Sequence, residues 1–546
     1  MRDLTPLTKE SFDLIIIGGG VTGAATLWEA SLRGLKCLLL ERGDYGQATS
    51  SATSKMAHGG LRYLKMLDFA LVRESLRERR MLQEIAPHQV RPLDFLLPTY
   101  KDFGRHPAFL WLAMTLYEGL SFDKHHVTDP DGRLHPFTRL NSAEVREKEP
   151  LLPTKDLRGG YIYQDCQINF PERVVLSYIQ GAKAKGAEAE NYTKVLGLIK
   201  VGSQVKGVKV LDLETNQELE FFGTTVINAT GPWAAETAKM AGPTHIPHPR
   251  SKGIHIVTPK KLQDSALAFF TKAGQHLFFL PWEGYNLIGT TDEVYDGRPD
   301  DLEITEPELE GYIKRINQSI PDFNLQPDEV LLAYTGIRPL AAGMGGDSYH
   351  VSRKHVLINH SQDGAAGFFS ATGGKFTTSR GLAFEAVNLL LENTNLKAGP
   401  SASHTAPLQG GDMECLALYK KKFFADWPQF EQNWLEKLVH HYGTDAPKLA
   451  KIALAAPLER VKLSNRGPLL QVELTYAVEE EQAKHLSDFV FRRSGLGTLE
   501  KLSSAELGPI AAAMGAKLGW NEEQKSQEIN KCLVHFKKGI EPYGDV

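Results

Sequence analysis

The stretch Phe12-Asp13-Leu14-Ile15-Ile16-Ile17-Gly18-Gly19-Gly20-Val21-Thr22-Gly23 decides how this chain is read. An apolar, β-branched run enters a glycine turn. Ala24 to Arg33 then favours helix, and Leu35 to Glu41 (LKCLLLE) is a second apolar run, so the order is strand, turn, helix, strand. Neither run alternates with polar residues, as expected of parallel strands covered by helices on both faces. The pattern Gly18-x-Gly20-x-x-Gly23 therefore stands where a dinucleotide fingerprint has to stand, directly after a strand and at the opening of a helix. Gly18 permits the tight turn, Gly20 lets a pyrophosphate approach the backbone, and Gly23 lets helix and strand pack closely. The phosphates then meet the partial positive charge of the helix N-terminus. Glu41 follows Gly20 by 21 positions and ends the second strand, placed to accept hydrogen bonds from an adenosine ribose and to disfavour a 2′-phosphate.

This unit alone does not separate FAD from NAD. Three later features lean toward FAD, although each also has an ordinary structural reading. Val226-Ile227-Asn228-Ala229-Thr230-Gly231-Pro232-Trp233 is a strand running into a turn at Gly231, where backbone meets the nucleotide a second time. Ser370 to Thr378 (SATGGKFTT) places Gly373, Gly374, Lys375 and Thr377 ahead of a helix over Ser379 to Asn393, so that its first amides and Lys375 face an anion such as the reduced flavin. Ser50-Ser51-Ala52-Thr53-Ser54-Lys55 follows Glu41 closely, with the hydroxyls of Ser50 and Ser51 and the cation of Lys55 available to wrap phosphate.

A chain of 546 residues exceeds one hydrophobic core and implies two or three domains. Hydrophobic residues at 42% and charged residues at 23% place it among folded globular proteins. With 62 Lys+Arg against 66 Asp+Glu the net charge is -4, so no global positive field exists to hold nucleic acid or an anionic membrane. Cys37, Cys166, Cys415 and Cys532 have no C-x-x-C spacing, which argues against both a disulfide framework and a zinc site and for a reducing compartment; no metal is expected. Residues 1 to 11 lack the apolar core of a secretory signal, so export is not expected and a cytoplasmic location is. The adjacent pairs His125-His126 and His440-His441 point their side chains different ways and read as solvated. The expected partition assigns 1–86, 158–251 and 341–398 to the nucleotide domain. It assigns 87–157 and 252–340 to an interleaved substrate domain with a mixed or antiparallel sheet, and 399–546 to a helical C-terminal domain reached through the Gly/Pro/Ser-rich stretch Ala398 to Gly411.

Four runs carry a resemblance to a known family. Ser50 to Leu64 (SSATSKMAHGGLRYL), Gly289-Thr290-Thr291-Asp292, Thr335 to Leu340 (TGIRPL) and Gly373 to Thr378 (GGKFTT) closely resemble FAD-dependent, aerobic-type glycerol-3-phosphate dehydrogenases in order and spacing. Leu486 to Arg493 (LSDFVFRR) resembles that family's C-terminal signature, so the likeness spans nearly the whole chain. One departure is Ser379 before Arg380, where the family often has an aromatic residue. The resemblance implies an α/β fold with a Rossmann-like FAD domain of the glutathione-reductase and D-amino-acid-oxidase type, an interleaved substrate domain and a helical tail. It implies oxidation of glycerol 3-phosphate to dihydroxyacetone phosphate. The electrons pass to quinone at the inner face of the cell membrane or, in the oxidase branch, to oxygen; a homodimer is one of the assemblies it allows. A flavin enzyme acting on amines or hydroxy acids, and a flavin-binding protein without turnover, remain as rivals.

The matching residues suit that chemistry. A phosphate dianion needs fixed cations, and Arg62, Arg338, Arg353 and Lys375 lie inside or beside the matching runs, with Tyr63 placed to orient substrate. Hydride loss from a carbinol carbon requires its hydroxyl proton to leave too, and a neutral imidazole is the usual acceptor. His255, in Lys252-Gly253-Ile254-His255-Ile256-Val257, resembles the family's active-site segment and is assigned the base, with Arg338 stabilising the developing alkoxide. His58, in Ala57-His58-Gly59-Gly60, competes for the base role; it and Gly59 are otherwise assigned to the cofactor. Quinone reduction needs access to lipid. His106 to Leu120 and Leu418 to Trp427 are the segments able to lie on a membrane surface, being too short to span it.

Overall fold

The computed structural model describes residues 2–102, 105–242, 246, 249–270, 276–340 and 354–540, with their side chains except those of Arg62, Lys65 and Phe270. Two sheets organise it, and the glycine bend belongs to the first. That sheet runs His355–Asn359, Phe368–Gly373, Gln217–Asn228, Ser11–Ile17, Cys37–Leu40, Glu188–Glu190, with Thr193–Val201 and Gln204–Asp212 attached to the first half of Gln217–Asn228. Its inner pairs are parallel. Among the described residues the long helices that cover this sheet lie on one face, however. Leu14 and Ile16 pack beneath Val21–Leu32, Pro171–Lys183 and Ser379–Glu392, whereas Ile15 and Ile17 pack against Val205, Val208, Val210 and Phe221 of the antiparallel hairpin. Either cover removes an apolar strand from water on both sides, so the continuous run at Leu14 to Ile17 does not distinguish a helix layer from a hairpin.

The second sheet runs Glu293–Val294, Arg250–Pro259, Tyr285–Gly289, His276–Trp282, Ala266–Phe270, Val90–Tyr100, Leu157–Ile168, Met56–Ala57, with Leu332–Pro339 also on Arg250–Pro259 and Thr138–Leu140 on Leu157–Ile168. All its pairs are antiparallel except Ala266–Phe270 with Val90–Tyr100. Leu157–Ile168 thus runs across the expected boundary at 157/158. Gly159, at φ +136, lies at the register shift opposite Thr99 and Tyr100, and the strand continues through it. Helix Glu306–Ser319 covers one face of this sheet through Tyr312, Ile313 and Ile316, and the C-terminal helices cover the other through Leu474, Phe489 and Ile510.

The tail is helical as expected, with Leu416–Asp426, Gln432–Tyr442, Ala446–Ala455, Gln471–Glu479, Ser504–Leu518 and Glu522–Lys538. Ser503 with Glu506, and Asn521 with Gln524, form reciprocal caps that start the last two helices; Gly519 and Gly539, both left-handed, end them. The stretch before these helices is irregular but packed. Leu408 is buried, and a Cβ on Gly411 would lie 2.3 Å from the Ile85 carbonyl oxygen. His125 and His126 are exposed, but His441 is not the solvated residue expected: it is buried with its ring 4.7 Å from that of Phe170, because helix Gln432–Tyr442 turns that face into the domain junction.

Candidate active site

A cavity of about 780 Å³ lies between the two sheets. At its nucleotide end Gly18 has φ +108, and a Cβ there would stand 2.7 Å from the Ala229 carbonyl oxygen. A Cβ on Gly23 would meet the Gly18 carbonyl oxygen at 1.8 Å, so Gly23 serves helix packing behind the cavity while Gly18 and Gly20 form its wall. The first helical amide, Val21 N–H, donates to Ser50 Oγ at 2.9 Å, which places that hydroxyl at the positive end of helix Val21–Leu32. The Glu41 carboxylate accepts from Gly19 N–H at 2.6 Å and Gly43 N–H at 2.8 Å. Burial raises its pKa and those two amides oppose the rise. Each oxygen keeps a second lone pair, so this cavity-lining carboxylate can accept hydrogen bonds from the two hydroxyls of a ribose diol. The bare glycine backbone at the helix N-terminus and the carboxylate of Glu41 beside it fit a dinucleotide.

Farther along, Gly231 (φ +54), Gly373 (φ +76) and Gly374 (φ +79) bring backbone to the cavity. His58 lines it as well; its N–H donates to Thr377 Oγ at 3.3 Å, tying the strand Met56–Ala57 to the turn before helix Ser379–Glu392. The Lys375 ammonium lies 4.5 Å from the Tyr63 ring centre and donates to Ser75 Oγ, so cation and phenol share one wall. Arg380 grips Glu78 with two bonds of 2.7 and 2.6 Å, so the helix start is anchored despite the family departure at Ser379.

Three expected cofactor ligands stand elsewhere. Lys55, at φ +55, is buried, and its ammonium donates to Glu172 at 2.9 Å beside the Trp282 ring; a buried carboxylate, and not phosphate, neutralises it. Ser51 Oγ donates back to the Gln47 and Ala48 carbonyls at 3.1 and 2.9 Å, as serines in a tight turn commonly do. Gly59 lies behind the wall, where its N–H reaches Asp165 at 3.3 Å and a Cβ would strike Leu76 at 2.3 Å; its smallness serves packing.

The second sheet supplies the other wall. His255 pairs with Tyr334, and Arg338, four residues on, pairs with Ser251, so His255 and Arg338 project on one face of this strand pair. Both line the cavity. His255 is 1% exposed, its Nε2 lies 2.8 Å from Ser54 Oγ, and its ring stacks on Tyr334 with centres 5.0 Å apart. Burial first, then the charges of Arg338 and Lys55, hold its pKa well below 6.5, so the ring is neutral at pH 7 and open to a proton. Arg338 donates to Thr290 Oγ at 2.6 Å and to the Thr291 carbonyl at 3.3 Å, with Asp292 3.9 Å away. The motif Gly289-Thr290-Thr291-Asp292 is therefore the seat of this arginine. Gly253 and Gly289 leave room for the pair: a Cβ on the first would lie 2.0 Å from Arg338 Nη2, and on the second 2.0 Å from His255 Cδ2. Nothing in the sequence marks Ser54, Thr290, Gly253 and Gly289 individually, although each stands within one of the motif runs. The Arg62 side chain and the whole of Arg353 lie outside the described residues.

The FAD dependent oxidoreductase family model matches residues 13–388, and the model for the C-terminal domain of alpha-glycerophosphate oxidase matches 401–525. The chain is 32% identical to a glycerol-3-phosphate dehydrogenase of Synechocystis sp., covering 99% of each chain. It is 33% identical to an aerobic glycerol-3-phosphate dehydrogenase of Staphylococcus haemolyticus, covering 98% of this chain and 96% of that one. Among solved structures, the glycerol-3-phosphate dehydrogenase from Bacillus halodurans complexed with FAD superposes with a TM-score of 0.79 at 26% identity, covering 100% of this chain and 98% of that one. With one family model matched over most of the chain and relatives about a third identical along nearly its whole length, the chain belongs to the family of FAD-dependent glycerol-3-phosphate dehydrogenases.

Proposed function

We propose that this chain oxidises sn-glycerol 3-phosphate to dihydroxyacetone phosphate and passes the electrons to a quinone. The observation that carries the reading is the neutral, buried His255 beside Arg338 on one cavity wall, with Lys375 on another. Bound FAD supplies a two-electron acceptor for the hydride of the carbinol carbon. His255 takes the hydroxyl proton, and Arg338 faces the oxygen as charge develops on it. Lys375 and Tyr63, joined by Arg62 and Arg353 on the strength of the family motifs, hold the phosphate. A panel of alcohols, amines and hydroxy acids mixed anaerobically with the holoenzyme tests this: glycerol 3-phosphate alone should abolish the oxidised flavin absorbance, and persistence of that absorbance defeats the assignment.

Two features support a quinone. The cavity includes an aromatic wall, with Phe95 stacked on Tyr163 at 5.3 Å and Phe278 edge-on to Phe95 at 6.4 Å, which a flat apolar ring suits better than dioxygen does. Close by, helix Pro107–Leu120 and its surroundings expose Trp111 (51%), Phe122 (69%) and Leu67 (72%) to solvent. That apolar face, with no helix of the described residues able to cross a bilayer, supports a peripheral seat on the cell membrane. Leu418 to Trp427 supports it less, since Phe423 turns into the C-terminal core. The oxidase-type C-terminal match favours oxygen instead. Peroxide yield against quinone reduction by the same preparation separates the two, and sedimentation with anionic liposomes at low salt tests the membrane contact.

A further inference from the structure

We propose that Ser54 carries the proton from the substrate hydroxyl to His255, an inference that rests on His255 being the base. Ser54 lines the cavity, and its Oγ lies 2.8 Å from His255 Nε2. The imidazole is clamped by Tyr334 stacked at an interplanar angle of 12° and by the Gly289 backbone against its Cδ2 edge. Nδ1 is buried with no hydrogen-bond partner among the described residues, so it is shut away from solvent and substrate alike. A ring held this way presents only Nε2 to an arriving proton, and the atom standing before Nε2 is Ser54 Oγ. Its neighbours fix that serine in place. The Tyr334 hydroxyl donates to the Thr53 carbonyl at 2.8 Å, and Lys55 is pinned to Glu172 at 2.9 Å. The buried Lys55–Glu172 pair, which lies off the cofactor path, thereby acquires a use as the anchor of the relay.

In the step, the carbinol O–H bond breaks as an O–H bond forms on Ser54, and the former Ser54 proton forms the N–H bond at Nε2. The carbinol C–H bond breaks with its electron pair leaving to bound FAD, so the alcohol carbon is oxidised to a ketone and the flavin is reduced by two electrons. Two protons move together, which a direct transfer to His255 would not require.

Anaerobic stopped-flow reduction of the holoenzyme by glycerol 3-phosphate, in mixtures of light and heavy water, tests the relay in the parent, Ser54→Ala, Ser54→Thr and His255→Asn proteins. The relay expects a curved dependence on deuterium fraction in the parent. It also expects a fall of about 10²-fold in the limiting rate of Ser54→Ala with an almost unchanged half-saturating substrate concentration, and recovery of most of the rate in Ser54→Thr. A Ser54→Ala protein as fast as the parent, one slowed only through weaker substrate binding, a Ser54→Thr protein as slow as Ser54→Ala, or a linear dependence in the parent overturns it. Slow His255→Asn beside fast Ser54→Ala defeats the relay alone, whereas His255→Asn as fast as the parent defeats the base assignment and the relay with it.

Discussion

Arg338 and Arg493 both stand in runs that resemble family signatures, and the structure gives them opposite work. The Arg338 side chain keeps 26% of its surface and faces the cavity from a seat made of Thr290, Thr291 and Asp292. The Arg493 side chain has no exposed surface. With Arg492 it closes on Asp44, a residue of the loop that follows Glu41, and Arg492 also bonds Asp488 at 2.8 Å, which in turn accepts from the Tyr192 hydroxyl at 2.6 Å. Two guanidinium groups on one carboxylate hold Asp44 down to a pKa of about 2 in spite of its burial. The second cluster thus staples the helical tail to the nucleotide loop, and Arg492 and Arg493 of the LSDFVFRR run meet that loop at Asp44. A charged motif meets ligand where one side is left open and acts as a seam where all sides are filled; both environments use the same residue types.

The largest effect expected from breaking this contrast is Asp44→Ala. It leaves the buried Arg493 guanidinium without its carboxylate and Arg492 with Asp488 alone, a loss of ~3–5 kcal/mol in denaturant unfolding, with flavin released at lower denaturant than in the parent. Arg338→Ala should do the reverse, slowing flavin reduction by glycerol 3-phosphate ~10²–10³-fold while unfolding changes by only ~1–2 kcal/mol. Equal losses of stability in the two variants would erase the distinction between seam and site. Gly289→Ala drives a methyl group into the His255 ring; a displacement of that kind costs on the order of 10² in turnover, readable as a fall in kcat with little change in flavin content.

A pH series sharpens the seam side. His485 lies 3.0 Å from Glu528 and 3.2 Å from Glu214, with Tyr192 against its ring and Asp488 and Lys531 nearby, and the carboxylates raise its pKa to about 10 despite burial. An unfolded histidine titrates near ~6.5, so this group's stabilisation is whole below that pH and disappears as pH rises toward 10. His485→Asn should flatten the alkaline decline of unfolding free energy by ~1–2 kcal/mol, measured from pH 6 to 10. The smallest change is expected of Trp111→Ser. Its stability in solution should stay within ~0.5 kcal/mol of the parent while sedimentation with anionic liposomes falls; unchanged sedimentation would remove this helix from the membrane contact.

The nucleotide half was open to reading because its demands are local. Gly18, Gly20, Gly23 and Glu41 work through backbone conformation and a spacing set by one strand, one helix and one more strand, all adjacent in the chain, and such constraints leave their mark in residue order. The resemblance added His255, Arg338 and Lys375, which do meet at one cavity. What residue order could not state is which way a side chain turns once distant strands are paired. Lys55 and Ser54 are neighbours in one hydroxyl-rich run, yet one finds Glu172 from a helix far along the chain and the other finds His255. Pairing across the second sheet and burial by the helical tail made those choices, since a buried charge must take whatever opposite charge the fold brings to it, wherever in the chain that partner lies.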